Sequence, residues 1–290
     1  MSAVVTGYAS LDYTLRLDRA PEPDRTATIL SRAEEFPRLG GSPAYVAAAM
    51  RQGGTADVAP ITWVGDDAAG VRYREAVEEL GLPAVGIGIR PGRTPVCILA
   101  YEPAGGCHCF YHPSLAEPID LHPSQRILIS AADLVCVTVG PEQATRQTLA
   151  LARPDATLVW AVKADARAVP PDLAAALAAR ADIVVSSRGE SAFVRAAYAA
   201  AGRVDRAQLR IETRGGEGVA TVGDGAEVFI PSEPVAAEDS TGAGDTFLGG
   251  FLAAWRAGGA RPAIEKGMAA ARALLASRAR REIERGVHVA

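Results

Sequence analysis

The run Glu238-Asp239-Ser240-Thr241-Gly242-Ala243-Gly244-Asp245-Thr246-Phe247 decides how this chain is read. It follows a short apolar segment at 226–230 with the composition of a β-strand. It opens an apolar stretch at 247–255 that reads as a buried helix. Gly242 and Gly244 therefore fall at a helix N-terminus, where the first backbone N–H groups have no partner inside the helix. Those donors, together with the helix dipole, attract anions. A carboxylate in the same place, Asp245, makes a poor anion binder and a good base for a hydroxyl lying beside a phosphate. The plainer alternative is a glycine-rich turn whose aspartate caps the helix.

Outward from this run, β and α signals alternate. Apolar runs of strand length lie at 4–9, 58–64, 134–139, 157–161, 183–185 and 219–222. Helical patterns lie at 42–52, 70–80, 142–152, 171–181 and 191–201. This alternation predicts an α/β fold with a mainly parallel central sheet flanked by helices. An Ala-rich stretch at 263–280 closes the chain as helices. Three segments, approximately 8–18, 26–36 and 94–112, stand outside the parallel pattern, and Pro103-Ala104-Gly105-Gly106 marks a hairpin within the last of them. They are expected to form a small separate sheet inserted in one domain spanning 1–290.

The chain of 290 residues is long enough for one large α/β domain with an appendage. A net charge of −4 without a dense basic cluster argues against nucleic acid as a partner. No apolar run approaches the about 18 residues of a membrane span, and 1–6 lacks a signal-peptide pattern. A cytoplasmic protein with no membrane partner is expected. The four cysteines do not make a disulfide framework. Cys107, His108, Cys109 and His112 cluster, but one residue between the thiols is closer than structural zinc sites use. On a strand the two thiols would share one face and His108 would take the other.

The segment Asp239–Phe247 closely resembles the C-terminal signature of the ribokinase-like (PfkB) carbohydrate kinases. Three more segments follow that family's order. Leu39-Gly40-Gly41-Ser42-Pro43-Ala44 resembles its N-terminal di-glycine signature. Val64-Gly65-Asp66-Asp67-Ala68-Ala69-Gly70 resembles its Gly-Asp-Asp segment, and Thr213-Arg214-Gly215-Gly216-Glu217-Gly218 its nucleotide-binding turn.

The resemblance implies a ribokinase-like fold in which the small sheet is a lid, in some members also a homodimer interface. It implies an ATP-dependent kinase that moves the γ-phosphoryl group to a hydroxyl of a sugar or sugar-like substrate, with Mg2+ bridging the phosphates. Asp245 would be the base, and the N–H groups of Gly242, Ala243, Gly244 and Asp245 the anion hole. Thr213, Gly215 and Gly218, with Thr241, would meet the nucleotide. Glu190 stands where the family has the glutamate of an Asn-x-x-Glu motif that organises magnesium and phosphate, although Ser187 replaces the asparagine. Asp12 stands where the family aspartate accepts from two sugar hydroxyls, and Gly40 and Gly41 would let a polyol approach the backbone. Asp239 would help position the loop or a monovalent cation such as K+, which several members bind.

Two departures stand out. Tyr45 replaces a usual asparagine and offers one hydroxyl and a flat apolar face, to fill part of a sugar site or to stack on a nucleobase. Lys163 lies where relatives often have an Asp-Pro-Asn strand end. The alternatives to a sugar kinase are a nucleoside kinase with the same machinery and a non-catalytic small-molecule sensor.

Overall fold

Apolar runs buried on both faces become the central strands of the computed structural model, which describes residues 2–202, 208–222, 228–233, 235 and 239–286. In chain order, β1 (Ser2–Thr6), β2 (Ser10–Leu17), β3 (Ile29–Arg32) and β4 (Arg38–Gly40) precede α1 (Ser42–Gln52). Next come β5 (Asp57–Gly65), α2 (Ala68–Glu79), β6 (Ile87–Arg90), β7 (Val96–Tyr101) and β8 (Cys107–His112). Helices and strands then alternate through α3 (Pro123–Ala131), β9 (Leu134–Val137), α4 (Glu142–Leu151), β10 (Thr157–Ala161), α5 (Pro171–Arg180), β11 (Ile183–Ser187) and α6 (Ser191–Ala201). The chain closes with β12 (Leu209–Thr213), β13 (Gly218–Val222), β14 (Val228–Pro231), α7 (Ala243–Gly258) and α8 (Ala260–Gly286).

Nine strands form the large sheet in the order β14-β13-β12-β11-β10-β9-β1-β5-β6. From β12 to β6 every pairing is parallel, and β13 and β14 add an antiparallel edge. Successive residues enter opposite cores, as a strand's two-residue period requires. Val5, Cys136 and Val159 pack in the layer that holds Phe247 and Phe251 of α7, while Val4, Val135 and Trp160 pack in the layer that holds Leu173 of α5. Phe247, Phe251 and Trp255 stack along α7 at 6.3 and 5.5 Å between ring centres. Gly249 lets the same helix press against Val46 of α1, where a Cβ would collide with the backbone. Truncating the fully buried Phe251 to alanine is expected to cost about 3–5 kcal/mol in urea unfolding monitored by circular dichroism.

The second sheet has the order β3-β2-β7-β8, with β4 paired to β2. On β2, Ser10, Asp12 and Thr14 alternate on one buried face. On the other surface Ile98 and Phe110 lie directly opposite each other and are exposed.

The structure adjusts several expectations. Strand β14 ends at Pro231, and Ala226 and Glu227 of the expected strand lie outside the described residues, as does Glu238. The closing Ala-rich stretch is one helix of 27 residues that starts at Ala260. Strands β4 and β6 and helix α3 are additions to the expected elements. His122, which carries no motif, caps α3 in a reciprocal capping box with Gln125. Asp67 caps α2 through Gly70 N–H at 2.9 Å and also accepts from the Thr94 hydroxyl at 2.6 Å, so it ties β5 to the approach of β7.

Candidate active site

The chain turns left-handed at Gly242 (φ 72°) just before α7 begins. A side chain there would be strained by that φ, and its Cβ would also lie 2.9 Å from Cδ1 and Cε1 of Tyr45. Of the four N–H groups expected to form the anion hole, that of Ala243 is committed to Ser240 O at 3.0 Å. The donors left for a ligand are those of Gly242, Gly244 and Asp245.

Asp245 sits in the first turn of α7. Burial pushes its carboxyl upward from the ordinary aspartate range, and the charge of Asp12 adds to the rise. A hydrogen bond with Ser42 and the positive charge of Lys163 oppose it. Ser42 opens α1, and Lys163 lies two residues beyond β10. Helices α1 and α7, the end of β10 and strand β2 therefore converge on Asp245.

Asp12 is 4 % exposed and accepts from Ser10 Oγ at 2.6 Å. Burial raises its pKa as well. Asp12 and Asp245 are thus two buried carboxyls whose pKa values are shifted upward, and the charge of Asp12 reaches Asp245. The β2–β4 pairing sets Gly40 opposite Ser10, and a Cβ at Gly40 would overlap the Asp12 carboxylate. Gly40 is thus required by Asp12 itself. Gly41 has φ 86° at the start of α1 and packs against the backbone of Tyr8 and Ala9.

Tyr45 stands beside the loop that opens α7. Its ring lies on Gly242 and also borders a cavity of about 930 Å³ that Arg38, Asp239, Thr246, Arg278 and Leu274 help to line. Burial pushes its hydroxyl up to about 12. Part of the ring is therefore committed to the loop.

Asp239 is gripped by two arginines. Arg38 Nη1 lies 2.6 Å from Oδ2 and Nη2 3.3 Å from Oδ1, while Nη2 also donates to Thr14 Oγ1 at 3.0 Å. Arg278 Nη1 donates to Thr241 O at 2.5 Å and to Asp239 O at 3.2 Å. Burial opposes ionisation of Asp239, but its hydrogen bonds with Arg38 and the charges of Arg38 and Arg278 outweigh burial and hold it down to about 2. A carboxyl depressed below its unfolded value stabilises the fold above that ordinary value and loses the contribution as pH falls through the depressed one. The gap in melting temperature between the native chain and Asp239→Asn is expected to be full above about pH 4 and to shrink steadily toward pH 2.

At the other end of the sheet's rim, the β11–β12 register sets Ser187 beside Thr213. Thr213 Oγ1 lies 3.4 Å from Ser186 O. Gly215 (φ 56°) and Gly218 (φ 141°) bracket a 3-10 turn between β12 and β13. Gly218 presses on Ile230 O, whereas nothing crowds Gly215. Glu190 also works locally. Its Oε2 accepts from both N–H and Oγ of Ser187 at 2.8 Å, capping the turn before α6. Thr241 reaches the small sheet, its Oγ1 lying 2.7 Å from Tyr101 OH.

The sequence alone assigns no role to Arg38, Arg278, Ser42 or Tyr101. Ser42 and Arg38 flank the Gly40-Gly41 pair and are within reach of that signature. Arg278 is one of several arginines in an Ala-rich helix, and nothing local distinguishes it. In the cysteine–histidine cluster, Cys109 Sγ lies 3.4 Å from Cys97 Sγ, and His112 bonds Ser114. Among the described residues no three metal-ligating side chains converge.

The family model for pfkB family carbohydrate kinase matches residues 3–282. An ATP-dependent ribose-1-phosphate kinase of Halopiger xanaduensis is 30% identical over 250 residues, 86% of this chain and 83% of that protein. Among solved structures, a Cryptococcus neoformans ribokinase in complex with ADP superposes with a TM-score of 0.77 at 19% identity, covering 93% of this chain and 92% of its own. A Burkholderia thailandensis nucleoside kinase in complex with inosine gives 0.72 at 18% identity, covering 92% and 90%. These two likenesses establish the ribokinase fold. The chain belongs to the pfkB family of carbohydrate kinases.

Proposed function

We propose that this chain transfers the γ-phosphoryl group of ATP to a hydroxyl of a sugar or sugar 1-phosphate. The observation that carries the reading is Asp245: a carboxyl with a raised pKa, set in the positive first turn of α7 and shared by Ser42, Lys163 and Asp12. Asp12 orients the acceptor by accepting from its hydroxyls. Asp245 takes the proton of the hydroxyl that attacks, and the raised pKa makes that transfer less uphill than an ordinary aspartate would. The N–H groups of Gly242, Gly244 and Asp245 hold the charge that spreads over the transferring phosphoryl oxygens. Lys163 adds a positive charge on the same side. Thr213, Gly215, Gly218 and Thr241 border the nucleotide.

Mg2+ arriving with ATP would neutralise phosphate charge. Glu190, with one oxygen spent on capping, offers its other oxygen to that ion or to its water. The small sheet, built by β2, β3, β4, β7 and β8, serves as a lid on a single domain and excludes water from the reacting groups. Its exposed Ile98 and Phe110 fit a homodimer interface. No helix of the described residues is long and apolar enough to cross a membrane, and a cytoplasmic location goes with the use of ATP.

Three observations rank the alternatives. The Halopiger relative carries the name of a ribose-1-phosphate kinase, which favours sugar phosphates. Part of the Tyr45 ring already lies against Gly242, which leaves less of it to stack on a nucleobase. The family match and the intact Gly242–Asp245 loop favour turnover over a binding-only sensor. The test is ADP release from Mg·ATP with ribose, ribose 1-phosphate, ribose 5-phosphate, hexoses and nucleosides. Turnover with a sugar or its 1-phosphate is expected; turnover with nucleosides alone would overturn the acceptor assignment, and ATP binding with no turnover on any acceptor would return the sensor.

A further inference from the structure

The residues around Asp239 do not fit the monovalent cation that the family resemblance implies. Such an ion needs several hard oxygens, among them a carboxylate. The loop offers three at one point: Asp239 Oδ1, Asp239 O and Thr241 O. All three already face Arg278 Nη1, at 3.5, 3.2 and 2.5 Å. The other side of the same carboxylate is closed by the Arg38 fork, at 2.6 and 3.3 Å. The three side chains are 9, 11 and 15 % exposed for Arg38, Arg278 and Asp239. A cation entering here would stand against two fixed positive charges of low mobility, with little water to screen them.

We infer that Arg38 and Arg278 do in this chain what a bound monovalent cation would do. They are positioning residues. They pin the carbonyls of Asp239 and Thr241 and the carboxylate of Asp239, and so fix the turn whose next residues carry the N–H donors at Gly242, Gly244 and Asp245. Phosphoryl transfer is consequently independent of K+ and Na+. The sources are far apart in the chain: Arg38 opens β4 ahead of α1, and Arg278 lies in α8. The inference rests on the kinase reading only for its effect on turnover; the ion's absence from the site is separately measurable.

The experiment compares K+, Na+ and choline chloride at equal ionic strength on the full chain. Turnover of the native enzyme is expected to change less than about twofold, with the same melting temperature in all three salts. A K+-specific rise in melting temperature, or activation of about tenfold or more, would overturn the inference. Arg278→Ala leaves the three oxygens without their donor. Its kcat in choline is expected to fall about 10²-fold, and K+ or guanidinium ion should restore a large part of it while leaving the native enzyme unchanged. Full activity of Arg278→Ala in choline would overturn the positioning role. If that variant does not fold, Arg278→Lys replaces it, with partial kcat and an unchanged KM for ATP expected. If no acceptor is turned over, the kinase reading fails, and equal melting of the native chain in K+ and choline still supports the inference while a K+-specific shift overturns it.

Discussion

Asp245→Asn is expected to lower kcat by about 10³-fold while leaving the Kd for ATP within about threefold. The amide keeps the size and the first-turn position of the carboxylate but cannot accept the acceptor's proton. Its effect should fall on the transition state and hardly on ground-state binding. A second readout separates this from misfolding. Burial raises the folded pKa of Asp245 above its unfolded value, so its ionised form costs stability at neutral pH, and that cost is relieved as pH falls through the raised value. Asp245→Asn should therefore melt above the native chain at pH 7, with the two converging in acid. A more stable and nearly inactive protein is the signature of a site that trades stability for function. Near-native turnover in this variant would remove Asp245 as the base.

Gly40→Ala is expected to lower kcat/KM for the acceptor by about 10²-fold with ATP binding unchanged. The added methyl has no room, because the Asp12 carboxylate occupies the space above Gly40. Asp12 is itself held by Ser10 and stands 4 % exposed, so it has little freedom to step aside. The methyl should push the carboxylate off the acceptor hydroxyls without touching the nucleotide side of the rim. Asp12→Ala should share the acceptor defect, and the double variant should be little worse than either single one. Additive losses would mean that Gly40 contacts the acceptor by itself, as the sequence alone suggests.

The centre of the large sheet is legible in the sequence because β1, β5, β9 and β10 are largely buried on both faces and read as apolar runs, whereas the edge strand β6, four residues long and partly exposed, is not. Helices α1 and α6 match their sequence boundaries at both ends. Strand β4 is invisible there: three residues, Arg38-Leu39-Gly40, are too few to show a period, and its pairing with β2 is a tertiary fact. The glycines and Asp245 of the α7 loop are legible from local chemistry. The partners that set its charge are not. Arg38 and Asp239 are separated by 201 positions, and no local pattern joins them. The packing of Tyr45 on Gly242 is likewise invisible, because the two lie in segments far apart along the chain. Glu190 reads toward metal, while the structure also gives it a capping bond that any Ser-x-x-Glu start of a helix could make.

The most direct test of Asp245 as the base is the pH profile of a single turnover, with enzyme in excess and ATP and acceptor mixed by rapid quench. For the native enzyme the rate is expected to fall on the acid side with an apparent pKa above the ordinary aspartate value, and for Asp245→Asn the residual rate should lack that limb. An acid limb that is the same in both proteins, or absent from the native one, would contradict the account.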